Sequence, residues 1–264
     1  MMYSLHGVKM RFIEFIGSLG VGKSTIHSKL ISHENLWGGT EEDALKRNFF
    51  REETQKYQIL FRVLPRPLQS TIENKILKDR YSNAAFTEFV VENPDFLKLM
   101  ERSLKRVSKE QPNTEKNKNS SVRPDKVVSW LKQTAESYQL SISMKKEDEL
   151  LILDEGFCQR AHSLLWRYNT SPFSLREYFQ IVPIPQILIH LDASAEICYS
   201  RQNERKDITY KSHKLDIIEE SRQICFEITD YLKSNHDTKV IYVENTGTII
   251  ESVEKIKRSY KVRS

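Results

Sequence analysis

Residues Gly17 to Ser24 read GSLGVGKS, directly after the apolar run Phe12-Ile13-Glu14-Phe15-Ile16 and directly before a helix-compatible stretch from Thr25 to Ile31. This is a GxxxxGKS phosphate-binding loop in the context it requires, strand then loop then helix. Gly17, Gly20 and Gly22 permit the backbone turns that aim successive N–H groups at an anion held at the positive end of the following helix. Lys23 is placed to reach the β- and γ-phosphates, and the Ser24 hydroxyl to ligate Mg²⁺. The predicted nucleotide-binding segment is Gly17, Ser18, Leu19, Gly20, Val21, Gly22, Lys23, Ser24 and Thr25, with ATP and Mg²⁺ as its ligands.

The chain has 264 residues, enough for one large domain with its own core, so no metal or disulfide framework is needed. Cys158, Cys198 and Cys225 are odd in number, far apart and without a CxxC pair, which predicts reduced, buried thiols in a cytoplasmic protein. Apolar runs such as Leu150-Leu151-Ile152-Leu153 fall far short of a membrane span. A net charge of +5, with 29% charged residues of both signs, favours phosphorylated ligands without marking a nucleic-acid binder. Met10 stands immediately before the first strand, leaving residues 1–9 as an extension.

Short apolar strands are predicted at Met10–Ile16, Leu150–Leu153, Gln186–Leu191 and Val240–Val243, each followed by a helical pattern, which implies an α/β fold with a parallel sheet covered on both faces. Around Asn35–Gly39 a further strand competes with a loop, and Trp37-Gly38-Gly39 favours the loop. Glu41–Leu64, Leu68–Tyr81, Asp95–Lys109 and Lys126–Lys146 have amphipathic helical spacing; Pro65 and Pro67 separate the first two, and Asn93-Pro94 provides a cap for the third. Residues 1–264 thus read as one domain, with 10–40 and 149–264 as the α/β core and 41–148 as a helical insert. Within the insert, 108–124 carry almost no apolar side chains and read as a flexible linker rather than a nucleic-acid contact.

A second chemical motif closes the strand at Leu150–Leu153, which ends in Asp154-Glu155. At the C-terminal edge of a parallel sheet Asp154 is the candidate for holding Mg²⁺ beside the loop. Glu155 has three readings: orienter of a hydrolytic water, base for a substrate hydroxyl, or first-turn helix acid. After Leu191-Asp192, Arg201 and Arg205 lie four apart, on one face if helical, with Lys206 beside them. They are candidates for neutralising charge on a transferring phosphoryl group; a solvated helix end is the alternative.

IEFIGSLGVGKST, LLILDEG, ILIHLDASAEICYSRQNERK and KVIYVEN, in that order, resemble the thymidylate kinase and deoxynucleoside kinase group of P-loop kinases over residues 10–31 and 149–260. The resemblance implies that Lys23 and Ser24 serve phosphates and Mg²⁺, that Arg201 and Arg205 are lid arginines, and that Val243-Glu244-Asn245-Thr246 lie near the base. The chain departs from the group in lacking an arginine after Asp154, for which Arg160 or Arg167 could substitute, and an acidic motif ending a second strand. The leading expectation is an ATP-dependent kinase with Lys23, Asp154, Glu155, Arg201 and Arg205 as catalytic residues and a nucleoside, nucleotide or other small molecule as phosphate acceptor. A hydrolytic NTPase using Asp154-Glu155, a nucleotide-gated binding protein and a nucleic-acid kinase are the alternatives. A second copy of the chain is admitted as a partner; membrane and nucleic acid are not favoured.

Overall fold

The computed structural model describes residues 12–32, 36–38, 65, 78–108, 123–146, 149–204 and 213–261. Outside them lie the predicted helix Glu41–Leu64, most of Leu68–Tyr81, nearly all of the 108–124 segment, Arg205, Lys206 and residues 1–9. Among the described residues the chain runs β1 (Phe12–Ile16), α1 (Lys23–Ile31), β2 (Leu36–Trp37), α2 (Lys78–Glu92), α3 (Phe96–Val107), α4 (Asp125–Met144) and β3 (Leu150–Leu153). It continues with α5 (Phe157–Arg167), α6 (Leu175–Phe179), β4 (Ile187–Asp192), α7 (Ala195–Asn203), α8 (Leu215–Asn235), β5 (Lys239–Glu244) and α9 (Ile249–Lys261).

The strands form a single five-stranded sheet in the order β2-β3-β1-β4-β5, every pair parallel. All five residues of β1 are buried, as expected of a central parallel strand with both faces covered. Their alternation divides them between two cores. Phe12 and Ile16 join Leu151, Leu153 and Leu188 against residues of α2 to α6 and α8, while Ile13 and Phe15 join Ile152, Ile189 and Ile241 against α1, α7 and α9. The first core carries an aromatic stack: Phe89 of α2 lies over Phe157 of α5 at 5.5 Å, and Tyr138 of α4 meets both Phe157 at 5.4 Å and Phe12 at 5.3 Å. Each such side chain contributes on the order of 1.5–3 kcal/mol by burial, so the helices after α1 are fastened to the sheet by aromatic area.

Two local expectations are corrected. The segment at Leu36-Trp37 is a strand, paired in parallel with Leu150-Leu151, so edge pairing with β3 overrides the loop character of the following glycines. Asn93 does not cap α3: its side chain donates to the Phe89 carbonyl at 2.8 Å and closes the end of α2, while its own carbonyl accepts from Phe96 N–H. Cys158, Cys198 and Cys225 are all buried, as the sequence predicts. No described helix is long and apolar enough to cross a membrane.

Candidate functional site

The register fixes where the loop emerges. Glu14 of β1 lies opposite Leu153 of β3, and Ile16 opposite His190 of β4, so the loop at Gly17 and the turn at Asp154 leave neighbouring strands at the same C-terminal edge. Beside them, between β1 and β4, the connections diverge, β1 running to β2 on one side of the sheet and β4 to β5 on the other. Gly20 and Gly22 have φ of +82° and +98°, the left-handed region that other residues enter only with strain. Gly22 is the N-cap of α1 and no side chain caps that terminus, which leaves the helix's first N–H groups for another acceptor.

Side chains behind the loop engage its carbonyls. Arg201 Nη1 donates to Val21 O at 3.1 Å and Asn245 Nδ2 to the same oxygen at 2.7 Å, while Gln202 Nε2 reaches Leu19 O at 3.2 Å. Lys23 Nζ curls over the loop to Gly17 O at 2.7 Å and Ser18 O at 3.2 Å. Burial lowers the Lys23 ammonium from its ordinary range, and the charges of Asp154 and Glu155 are among those opposing that shift. Such a curl gives the lysine partners that a phosphate oxygen could replace.

Asp154 is partly buried, and its Oδ1 has no hydrogen-bond partner. A buried carboxylate oxygen without a donor, on a residue close enough for its charge to act on Lys23, suits a hard cation that takes its remaining ligands from phosphates and water. No group of three or more His, Cys, Asp or Glu side chains that could cage a metal occurs among the described residues. Glu155 is exposed, 3.9 Å from Arg160 Nη2. Arg160 is also tied to α4, donating from Nε to Thr134 Oγ1 at 2.8 Å and lying over the Trp130 ring, over which Arg167 lies as well.

Arg201 lies in the last turn of α7 and also donates from Nη2 to Asn245 O at 2.8 Å, so α7, the end of β5 and the loop meet through one guanidinium. Asn245 is further held by Ser252 of α9. Arg205 is outside the described residues. On β4, Asp192 receives a two-pronged bond from Arg222 of α8, both contacts at 2.9 Å, and a third from Tyr242 Oη at 2.7 Å. Burial pushes the Asp192 carboxyl up, but these donors more than offset it and hold it below its usual range.

Sequence reasoning missed Glu14, Gln159 and His162. Glu14 is fully buried on the α5 side of the sheet, where its Oε1 accepts the Gln159 N–H at 2.9 Å; burial pushes its carboxyl up to about 7. A Cβ at Gly156 would stand 2.6 Å from the Glu14 carboxyl carbon, so any other residue there displaces that buried carboxyl. One charged residue inside the apolar run FIEFI was the available signal. Gln159 Oε1 accepts the Gly17 N–H at 3.1 Å, and Gln159 Nε2 faces His162 Nδ1 at 3.1 Å. For this pair the sequence offers only an i, i+3 spacing on a helix.

No protein-family model matches the chain, and no curated protein sequence does. Among solved structures, the chain is similar to deoxyadenosine kinase from M. mycoides with bound dCTP, at 13% identity and a TM-score of 0.47, over 94% of this chain and 98% of that one. The same enzyme with products dCMP and dCDP gives 17% and 0.49 over 94% and 98%, and with bound dATP 16% and 0.48 over 95% and 99%. At these distances the likeness assigns neither substrate nor residue roles.

Proposed function

We propose that the chain is an ATP-dependent phosphotransferase acting on a small-molecule acceptor, with nucleosides and nucleotides as the first class to test. The observation that carries this reading is the loop itself: Val21 and Leu19 carbonyls clasped from behind, an uncapped α1 N-terminus in front, and Lys23 and the unpartnered Asp154 oxygen beside it. Main-chain N–H groups of the loop and α1 bind the triphosphate, and Lys23 exchanges its carbonyl partners for the β- and γ-phosphate oxygens. Ser24 and Asp154 would hold Mg²⁺, which supplies charge neutralisation between those phosphates. Arg201 braces the loop through the Val21 and Asn245 carbonyls, and Arg205, outside the described residues, is the remaining candidate for stabilising the transferring group. The acceptor class rests on the four motifs shared with nucleoside and nucleotide kinases.

The exposed carboxylate of Glu155 favours one second reading, a hydrolase in which it orients a water. Incubation of the purified protein with ATP, Mg²⁺ and a panel of nucleosides, nucleoside monophosphates and sugars, with detection of phosphorylated products by mass, separates the two. Acceptor-dependent product supports the kinase. Rapid acceptor-independent hydrolysis that is lost in Glu155→Gln supports the hydrolase.

A further inference from the structure

A buried polar chain runs from α8 to the first residue of the phosphate loop. The Gly17 N–H can only donate, so the atom of Gln159 that meets it at 3.1 Å must be the amide oxygen. The amide nitrogen is then the atom facing His162 Nδ1, and because it donates, Nδ1 has to be a bare acceptor. The imidazole proton is left on Nε2, which stands 2.8 Å from Ser221 Oγ and 3.1 Å from Ser221 O. One assignment of donors and acceptors thus satisfies every link. Gln159, His162 and Ser221 are 5%, 1% and 0% exposed, so water is poorly placed to replace a broken bond.

Gln159 is pinned a second time, through its main-chain N–H to Glu14 of β1. It stands three residues past Gly156, so it also anchors the turn carrying Asp154 and Glu155. We infer that Gln159 is a positioning residue for phosphate transfer: it fixes the start of the loop relative to the Asp154 turn, and the Nε2–H tautomer of His162, set by Ser221, keeps its amide from flipping. A flipped amide would set NH₂ against the Gly17 N–H, two donors face to face, and release the loop. Ser221 adjoins Arg222, whose bond to Asp192 fixes α8 to β4, so the chain is supported at its far end by the sheet.

This inference rests on the loop's binding a triphosphate, and the test separates the two. In ¹⁵N-labelled full-length protein without ligand, the ring nitrogens of His162 are read for tautomer and the Gly17 amide for hydrogen exchange; ATP·Mg²⁺ affinity is then measured by calorimetry on wild type, Gln159→Leu, His162→Leu and the core control Leu232→Val. Expected are an Nε2–H imidazole, a Gly17 amide that exchanges about tenfold faster in Gln159→Leu, and ATP affinity weaker by about tenfold there and less so in His162→Leu. Leu232→Val lowers the melting temperature without moving affinity. A wild-type imidazole protonated on Nδ1 overturns the inference even where Gln159→Leu fails to fold. So does a folded Gln159→Leu with wild-type affinity. Wild type that binds no triphosphate overturns the functional reading and this inference together.

Discussion

Lys23 bonds two carbonyls of its own loop and, among the described residues, no carboxylate. Its replacement by alanine removes a phosphate ligand at small cost to packing: triphosphate affinity is expected to fall by at least about tenfold while unfolding stays cooperative. Calorimetric titration with ATP, paired with thermal unfolding, checks both halves. Arg201 differs because three segments share its guanidinium. Arg201→Ala leaves Val21 O with Asn245 alone and Asn245 O without its donor, so stability is expected to fall by about 1–3 kcal/mol along with ATP affinity. Single-turnover transfer tells whether a transition-state effect of about 100-fold lies on top of that loss. A rate loss that merely tracks affinity would confine Arg201 to holding the loop.

At the scale of elements, β1 and α5 carry two buried titratable groups with opposite pH signatures. Glu14 binds its proton more tightly folded than unfolded, so its contribution is full below pH 4.5 and is lost as pH rises toward about 7. His162, held down to about 3 chiefly by burial, binds its proton less tightly when folded. Its contribution is full above pH 6.5 and is lost as pH falls toward 3. His190 of β4, held near 4 by burial, acts in the same direction as His162. Glu14→Gln is therefore expected to gain stability over wild type as pH rises from 4.5 to 7, by up to roughly 3 kcal/mol at 1.36 kcal/mol per tenfold change in proton affinity. Denaturant unfolding at several pH values reads this slope; a constant difference between the two proteins would show that Glu14 is ionised in the native state throughout. On β4, Asp192→Ala leaves Arg222 with Glu219 alone and is expected to cost about 2–4 kcal/mol, measured in the same way.

For the whole molecule, a ligand that binds only the folded chain adds about 2.7 kcal/mol of stability at 100 times Kd and so raises the melting temperature with its concentration. ATP with Mg²⁺ is expected to do so, and Asp154→Asn to remove most of the difference between ATP alone and ATP with Mg²⁺. Thermal unfolding at graded ATP and Mg²⁺ measures that difference directly; an unchanged Mg²⁺ effect in Asp154→Asn would take Asp154 out of the metal site.

The strand at Leu150–Leu153, the strand before Gly17 and the helix after it were legible in sequence because each is set locally: apolar runs of strand length, glycines where φ must be positive, and a lysine and hydroxyl at fixed offsets from them. Leu36-Trp37 was not legible, since a two-residue strand exists only by pairing with β3. The clasp of Arg201, Gln202 and Asn245 on the loop carbonyls joins residues about 180 to 220 positions apart, as does the Glu14–Gln159–Gly17 linkage over about 140. A local pattern can name the atoms that would face a phosphate. Which carbonyls are held back from it, and which buried carboxyl accepts the first N–H groups of a helix, depend on chain segments that meet only when the sheet assembles.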